Sequence, residues 1–121
     1  MTTTESYRST SATLFDQAHV ELEAGDLVQA SEKFWGSAAQ ALKAVAQERG
    51  WEHDSHAHFY RIVRNLVNET GEKEVVDLFN AANLLHINFY EHWLEFDEIQ
   101  RLADQVREFL ERVNNPQPHA M

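Results

Sequence analysis

The chain has 121 residues, 43% of them hydrophobic and 25% charged, and 20 acidic against 10 basic residues give a formal charge of −10. This size and composition are typical of one globular domain with a core and exclude a wholly disordered chain. The absence of cysteine excludes disulfide frameworks, thiolate zinc sites and cysteine nucleophiles. The acidic balance argues against broad DNA binding.

No apolar run approaches the roughly 20 residues of a membrane span. The first residues are polar and lack the apolar segment of a signal peptide. We therefore expect a cytoplasmic protein that does not enter a membrane.

Glycines separate the apolar-periodic segments of the chain. Gly25, Gly50 and Gly71 each follow a run of helix formers, where glycine can close a helix in the left-handed conformation. Apolar residues recur at spacings of three and four, and no segment alternates with period two for long enough to form a strand. The pattern predicts helices from about Ser11 to Ala24, from about Leu27 to Gly50, from a cap at Asp54 or Ser55 to Gly71, from about Glu72 to Leu94, and from a capping box at Asp97 and Gln100 to Val113.

The predicted fold is therefore all-α, an up-and-down bundle of about five helices. We expect a flexible segment over residues 1–10, a single helical domain over 11–113 and a flexible tail over 114–121.

The fourth helix differs from the others because it is apolar on more than one side. Its second apolar group consists of Val76, Leu84, Ile87 and Leu94. Such a helix is either surrounded by its own bundle or covered by a second subunit. The sequence favours a homodimer through the fourth helix, with a central helix in a monomeric bundle as the alternative.

A histidine-rich segment precedes the third helix. His53, Asp54, His56 and His58 are residue types that bind zinc or nickel. On a helix, however, His56 and His58 point about 200° apart. The segment is a weak candidate for a metal site, and the alternative is an ordinary interhelical loop.

The third helix carries a polar stripe opposite its apolar face. Arg61 and Asn65 lie on this stripe with Arg64 beside them. Guanidinium and amide groups can bind a phosphate or a carboxylate. The stripe is a candidate anion site, or else a solvent-facing surface.

A second candidate cleft combines the second and fourth helices. His86 shares the main apolar face of the fourth helix, and Tyr90 follows it by four residues. With Lys33 and Trp35 these residues form a candidate ligand pocket, whereas a hydrogen-bonded core histidine is the alternative. Gly36 lies inside the second helix, where a close helix approach, a ligand near the backbone or a tolerated surface glycine would explain it.

Three segments carry a resemblance to a known family: Glu32-Lys-Phe-Trp-Gly-Ser-Ala-Ala, Gly50-Trp51 with His53-Asp-Ser-His, and Leu85-His-Ile-Asn-Phe-Tyr-Glu. The chain resembles the archaeal PaREP family of small helical proteins from about Ser11 to Arg112, and that family is similar to a branch of the HEPN superfamily. The resemblance implies a helical bundle that often dimerises. HEPN relatives include toxin ribonucleases and partners of minimal nucleotidyltransferases.

The HEPN ribonuclease signature is an arginine, usually followed by a polar residue, with a histidine after four to six intervening positions. Arg64 and Asn65 match the first two positions of this signature. The positions where the histidine would follow are occupied by Glu69, Thr70 and Gly71. Arg49 and His56 satisfy the spacing across a loop.

We therefore predict a non-catalytic dimeric binding or interaction module, for a nucleotide or an RNA-processing partner such as a nucleotidyltransferase, without a cofactor. The alternatives are a metal-independent endoribonuclease that uses Arg49 or Arg64 with His56 or His86, and a metal-binding histidine-rich loop.

Overall fold

A computed structural model describes residues 2–117 as five helices joined by short loops. No strand occurs among these residues, so the predicted all-α bundle is confirmed. None of the helices in residues 2–117 has both the length and the apolar character needed to cross a bilayer. The helices are α1 (Thr3–Glu23), α2 (Leu27–Arg49), α3 (His56–Thr70), α4 (Glu74–Glu91) and α5 (Phe96–Asn114).

The start of α2 and the ends of α2 and α3 lie where the capping residues and glycines of the sequence predict them. The Asp26 carboxylate accepts the backbone N–H of Gln29 at 3.1 Å and begins α2. Ser55 rather than Asp54 caps α3. Gly50 and Gly71 close the two helices with φ values of 72° and 73°, which L side chains rarely adopt.

The first helix begins earlier than the sequence predicts. α1 starts at Thr3 rather than near Ser11, because the Thr2 side chain accepts the backbone N–H of Glu5 at 3.1 Å. Arg8 forms an ion pair with Glu48, so this early part of α1 packs beside the end of α2. Of the segments predicted to be flexible, Met1 and residues 118–121 lie outside the described part of the chain.

The boundary between α4 and α5 also differs from the prediction. α4 ends at Glu91, before the predicted end at Leu94, because His92 takes a left-handed conformation with φ of 56°. α5 begins at Phe96 with Glu95 as its cap, so the predicted box at Asp97 and Gln100 is wrong. The Glu98 side chain accepts the backbone N–H of Glu95 at 3.0 Å.

The centre of the bundle is α2, which contacts all four other helices. Six buried alanines have small side chains, so that neighbouring helices pack close to α2 on several sides. They are Ala30, Ala38, Ala39, Ala41, Ala44 and Ala46. The alternative that places α4 at the centre of a monomeric bundle is therefore wrong.

Helix α4 buries its main apolar face and leaves most of its second apolar group uncovered. Val76, Leu84 and Ile87 are 40%, 42% and 47% exposed. Leu94, the fourth member of the predicted group, packs against the core instead.

Candidate functional site

An open cleft lies where α2, the start of α3 and α4 meet. It has a volume of about 400 Å³. We call it the Trp35 cleft. It is lined by Glu32, Trp35, Gly36, Ala39, Gln40, Lys43, Asp54, Ser55, His56, Phe59 and His86.

Three aromatic rings from three helices stack in this cleft. The Trp35 ring centroid lies 4.8 Å from that of His56, with the two planes 8° apart, and 4.8 Å from that of His86. The two imidazole centroids are 5.2 Å apart. Trp35 is only 6% exposed, whereas His56 is exposed. The indole is therefore a buried support for imidazole rings that a ligand in the cleft can reach.

A carboxylate fixes the orientation of His86. Its Nδ1 lies 3.1 Å from Oε2 of Glu32. Because an ionised carboxylate only accepts hydrogen bonds, Nδ1 carries the proton in this contact. Tyr90 packs its ring edge against His86, with 5.5 Å between centroids. Nε2 of His86 has no hydrogen-bond partner in residues 2–117 and is available to a ligand.

The cation of the cleft is Lys43 rather than the predicted Lys33. Nζ of Lys33 lies 2.9 Å from Oε1 of Glu21, and Lys33 does not line the cleft. Lys43 is half-buried and forms no ion pair with any residue from 2 to 117. The helical spacing from Glu32 through Gly36 and Gln40 to Lys43 is the sequence signal that identifies this lysine.

The candidate anion site on α3 is only partly assembled. Arg61 and Asn65 line a groove of about 210 Å³, whereas Arg64 is exposed outside it. Glu52 lies in the same groove, where its carboxylate is 2.9 Å from Nε2 of His58. A carboxylate in this position weakens the attraction of the groove for an anion.

The structure separates the alternative catalytic residues. Nε and a terminal nitrogen of Arg49 donate to the two carboxylate oxygens of Glu69 at 2.9 and 3.0 Å. Glu69 is near the end of α3 and His56 is at its beginning, about 20 Å apart along the helix axis. Arg49 and His56 therefore do not meet at one phosphate.

The three histidines near α3 have three different surroundings. His53 packs its ring against Tyr7, and His56 stacks on Trp35. Nδ1 of His58 accepts the backbone N–H of Asp54 at 3.0 Å. Within residues 2–117, no group of three or more acidic or imidazole side chains is placed to hold a metal ion.

The fold and this cleft define a small all-α bundle with an aromatic-backed pocket. The chain belongs to the archaeal PaREP1/PaREP8 family, whose model matches residues 6–110. It is also similar to the crystal structure of a protein from Sulfolobus solfataricus, with 25% sequence identity and a TM-score of 0.74 over 95% of this chain and 96% of that chain. No curated protein matches the chain.

Proposed function

We propose that the chain is a HEPN-like, dimeric and non-catalytic binding module that takes a small phosphate-bearing ligand, such as a nucleotide, in the Trp35 cleft. The observation that carries the proposal is the meeting of an unpaired Lys43 with His86, which Glu32 orients, beside stacked aromatic rings. Residues for a phosphate and for a planar base thus lie in one open cleft.

The polar residues of the cleft suit a phosphate group. The Lys43 ammonium supplies positive charge, and a protonated His86 donates from both ring nitrogens, Nδ1 to Glu32 and Nε2 to the phosphate. Because Glu32 already contacts His86, its carboxylate is partly compensated. Asp54 is the other acidic residue of the cleft and disfavours a phosphate beside it.

The aromatic residues of the cleft suit a base. Exposed aromatic and imidazole rings stack on nucleobases, and this interaction is largely independent of base identity. His56 is exposed and is supported from behind by the buried Trp35. We expect the base to lie against His56.

Isothermal titration calorimetry with AMP, ADP and inorganic phosphate tests the proposal. Lys43→Ala should weaken nucleotide binding at least about tenfold, because a charge-assisted hydrogen bond contributes about 1.5–3 kcal/mol. Arg64→Ala is the matched control, since Arg64 lies outside the cleft and forms no ion pair with any residue from 2 to 117. Loss of binding in Arg64→Ala, with no change in Lys43→Ala, would move the site to α3.

The non-catalytic part of the proposal has its own test. Incubation of the protein with single-stranded RNA in EDTA should leave the RNA intact, because Arg49 is paired with Glu69 away from His56. RNA cleavage that disappears in His86→Asn would replace the binding module with the endoribonuclease alternative. A nucleotidyltransferase partner, implied by the HEPN resemblance, remains a prediction that co-purification with such a protein would check.

A further inference from the structure

One face of α4 carries a stripe with the spacing of a helix-pairing surface. We define the α4 stripe as Val76, Asn80, Asn83, Ile87 and Tyr90, which follow one another at intervals of four, three, four and three. This is the spacing by which two helices interlock their side chains. The stripe is about 21 Å long. Four of its residues are exposed and Asn83 is half-buried, so the bundle leaves most of this surface free.

Four of the five stripe residues, from Asn80 to Tyr90, lie in a stretch without charged residues, whereas Val76 precedes Asp77. Between Leu78 and Tyr90 there is no Asp, Glu, Lys or Arg, although the whole chain has a net charge of −10. Two acidic molecules repel each other over most of their surfaces. The α4 stripe is a surface on which two copies of this chain can meet without that repulsion, and it offers no charge to attract a basic partner.

The stripe also matches itself about a two-fold axis. When two α4 helices run antiparallel with the axis at Asn83, Val76 of one copy lies opposite Tyr90 of the other, and Asn80 lies opposite Ile87. Nδ2 of Asn83 donates to the Tyr60 hydroxyl at 3.1 Å within the chain. Its second N–H and its Oδ1 have no hydrogen-bond partner in residues 2–117 and can pair with those of the other copy. Such a self-complementary patch is the requirement of a symmetric dimer.

Two unpaired charges at the ends of α4 favour the antiparallel arrangement. Lys73 and Glu91 are exposed and have no ion pair in residues 2–117. They are 91 − 73 = 18 residues apart, which is about five helical turns and places both on the same flank of the stripe. In an antiparallel two-fold pair, the same flank of α4 in each copy lies next to its counterpart. The start of one α4 then lies beside the end of the other. Lys73 of each copy then lies beside Glu91 of the other.

We infer that a second copy of this chain docks on the α4 stripe in an antiparallel, two-fold arrangement centred on Asn83. The inference rests on the dimeric state in the proposed function and specifies its interface. Because Tyr90 packs against His86, the second copy borders the Trp35 cleft of the first.

Sedimentation equilibrium of three proteins tests the surface. The wild-type chain should be a dimer at micromolar concentration, and Ile87→Glu should weaken the dimer at least a hundredfold by placing two carboxylates in the interface. Val20→Glu is the matched control, because Val20 is an exposed apolar residue of α1, 68% exposed and outside the stripe. A monomeric wild-type chain, or equal effects of the two substitutions, would overturn the inference.

Disulfide trapping tests the orientation, since the chain has no native cysteine. Asn83→Cys should form a covalent dimer in oxidised glutathione, because facing positions on the axis lie within the roughly 7 Å Cα separation that a disulfide allows. Ile87→Cys should not, because its two copies are displaced by about 12 Å along the helices.

Cross-linking of both variants would indicate a parallel pair, and cross-linking of neither would exclude the stripe. Either result would overturn the inference. These measurements contain no nucleotide, so failure of the interface is distinguished from failure of the Trp35 cleft.

Discussion

At the scale of single residues, Asn88 shows how a polar side chain in a buried position defines local structure. It is 1% exposed. Its Nδ2 donates to Oγ of Ser31 at 2.9 Å, and its Oδ1 accepts the backbone N–H groups of Trp93 and Leu94, each at 2.8 Å. Asn88 thereby ties α2 to the loop that follows α4. The asparagine of the Leu85-His-Ile-Asn-Phe-Tyr-Glu segment therefore has a structural role.

We expect Asn88→Ala to lower the free energy of unfolding by about 3 kcal/mol, because it leaves buried hydrogen-bonding groups without partners. Urea unfolding followed by circular dichroism measures the change. Asn68→Ala, at an exposed position of α3, is the control and should change stability by less than about 0.5 kcal/mol. Equal effects of the two substitutions would refute this role of Asn88.

The candidate site was only partly predictable at this scale. The sequence named Trp35, His86 and Tyr90 together, and their rings are in contact in the structure, because apolar faces of helices pack together. It named Lys33 and did not consider Lys43, because proximity to Trp35 in the sequence does not reveal which lysine has an acidic neighbour. That neighbour, Glu21, belongs to another helix.

At the scale of elements, the packing of α1 on α2 explains the glycine inside α2. A Cβ at position 36 would lie 3.2 Å from Cδ1 of Leu14. Of the three explanations for Gly36 that the sequence left open, the structure supports the close approach of a neighbouring helix, α1. Because the nearest atom is the end of a flexible side chain, alanine should be tolerated at this position, whereas a larger residue should not.

Gly36→Val should lower the free energy of unfolding by about 2 kcal/mol through overpacking. Helix propensity does not predict this loss, since valine is a better helix former than glycine. Adding Leu14→Ala should recover part of the loss, and a double-mutant cycle from urea unfolding measures the coupling. Strictly additive effects would show that Leu14 does not limit the space at position 36.

At the scale of the whole molecule, the acidic surface should oppose the dimer that we infer. Each copy has a formal charge of −10, and salt screens the resulting repulsion. The α4 stripe is uncharged, and the two Lys73–Glu91 pairs of the inferred dimer are exposed, so the attraction gains less from low salt than the net repulsion does. Association of this protein should therefore become stronger when salt is added.

We expect the dimer dissociation constant to fall at least about threefold between 10 and 100 mM NaCl, as the screening length decreases from about 30 to about 10 Å. Sedimentation equilibrium at the two salt concentrations measures it. A dissociation constant that rises with salt would contradict the expectation and indicate that intermolecular ion pairs outweigh the net repulsion.

The sequence by itself determined the number of helices, their buried faces and the ends of α2 and α3. These features depend on residues close together in the chain, such as the cap at Asp26 and the left-handed glycines. Only the tertiary structure decided that α2 rather than α4 is central, that Asn88 holds the loop after α4, and that Lys43, His56 and His86 line one cleft. Those outcomes depend on contacts between helices that are distant in sequence, which local periodicity does not specify.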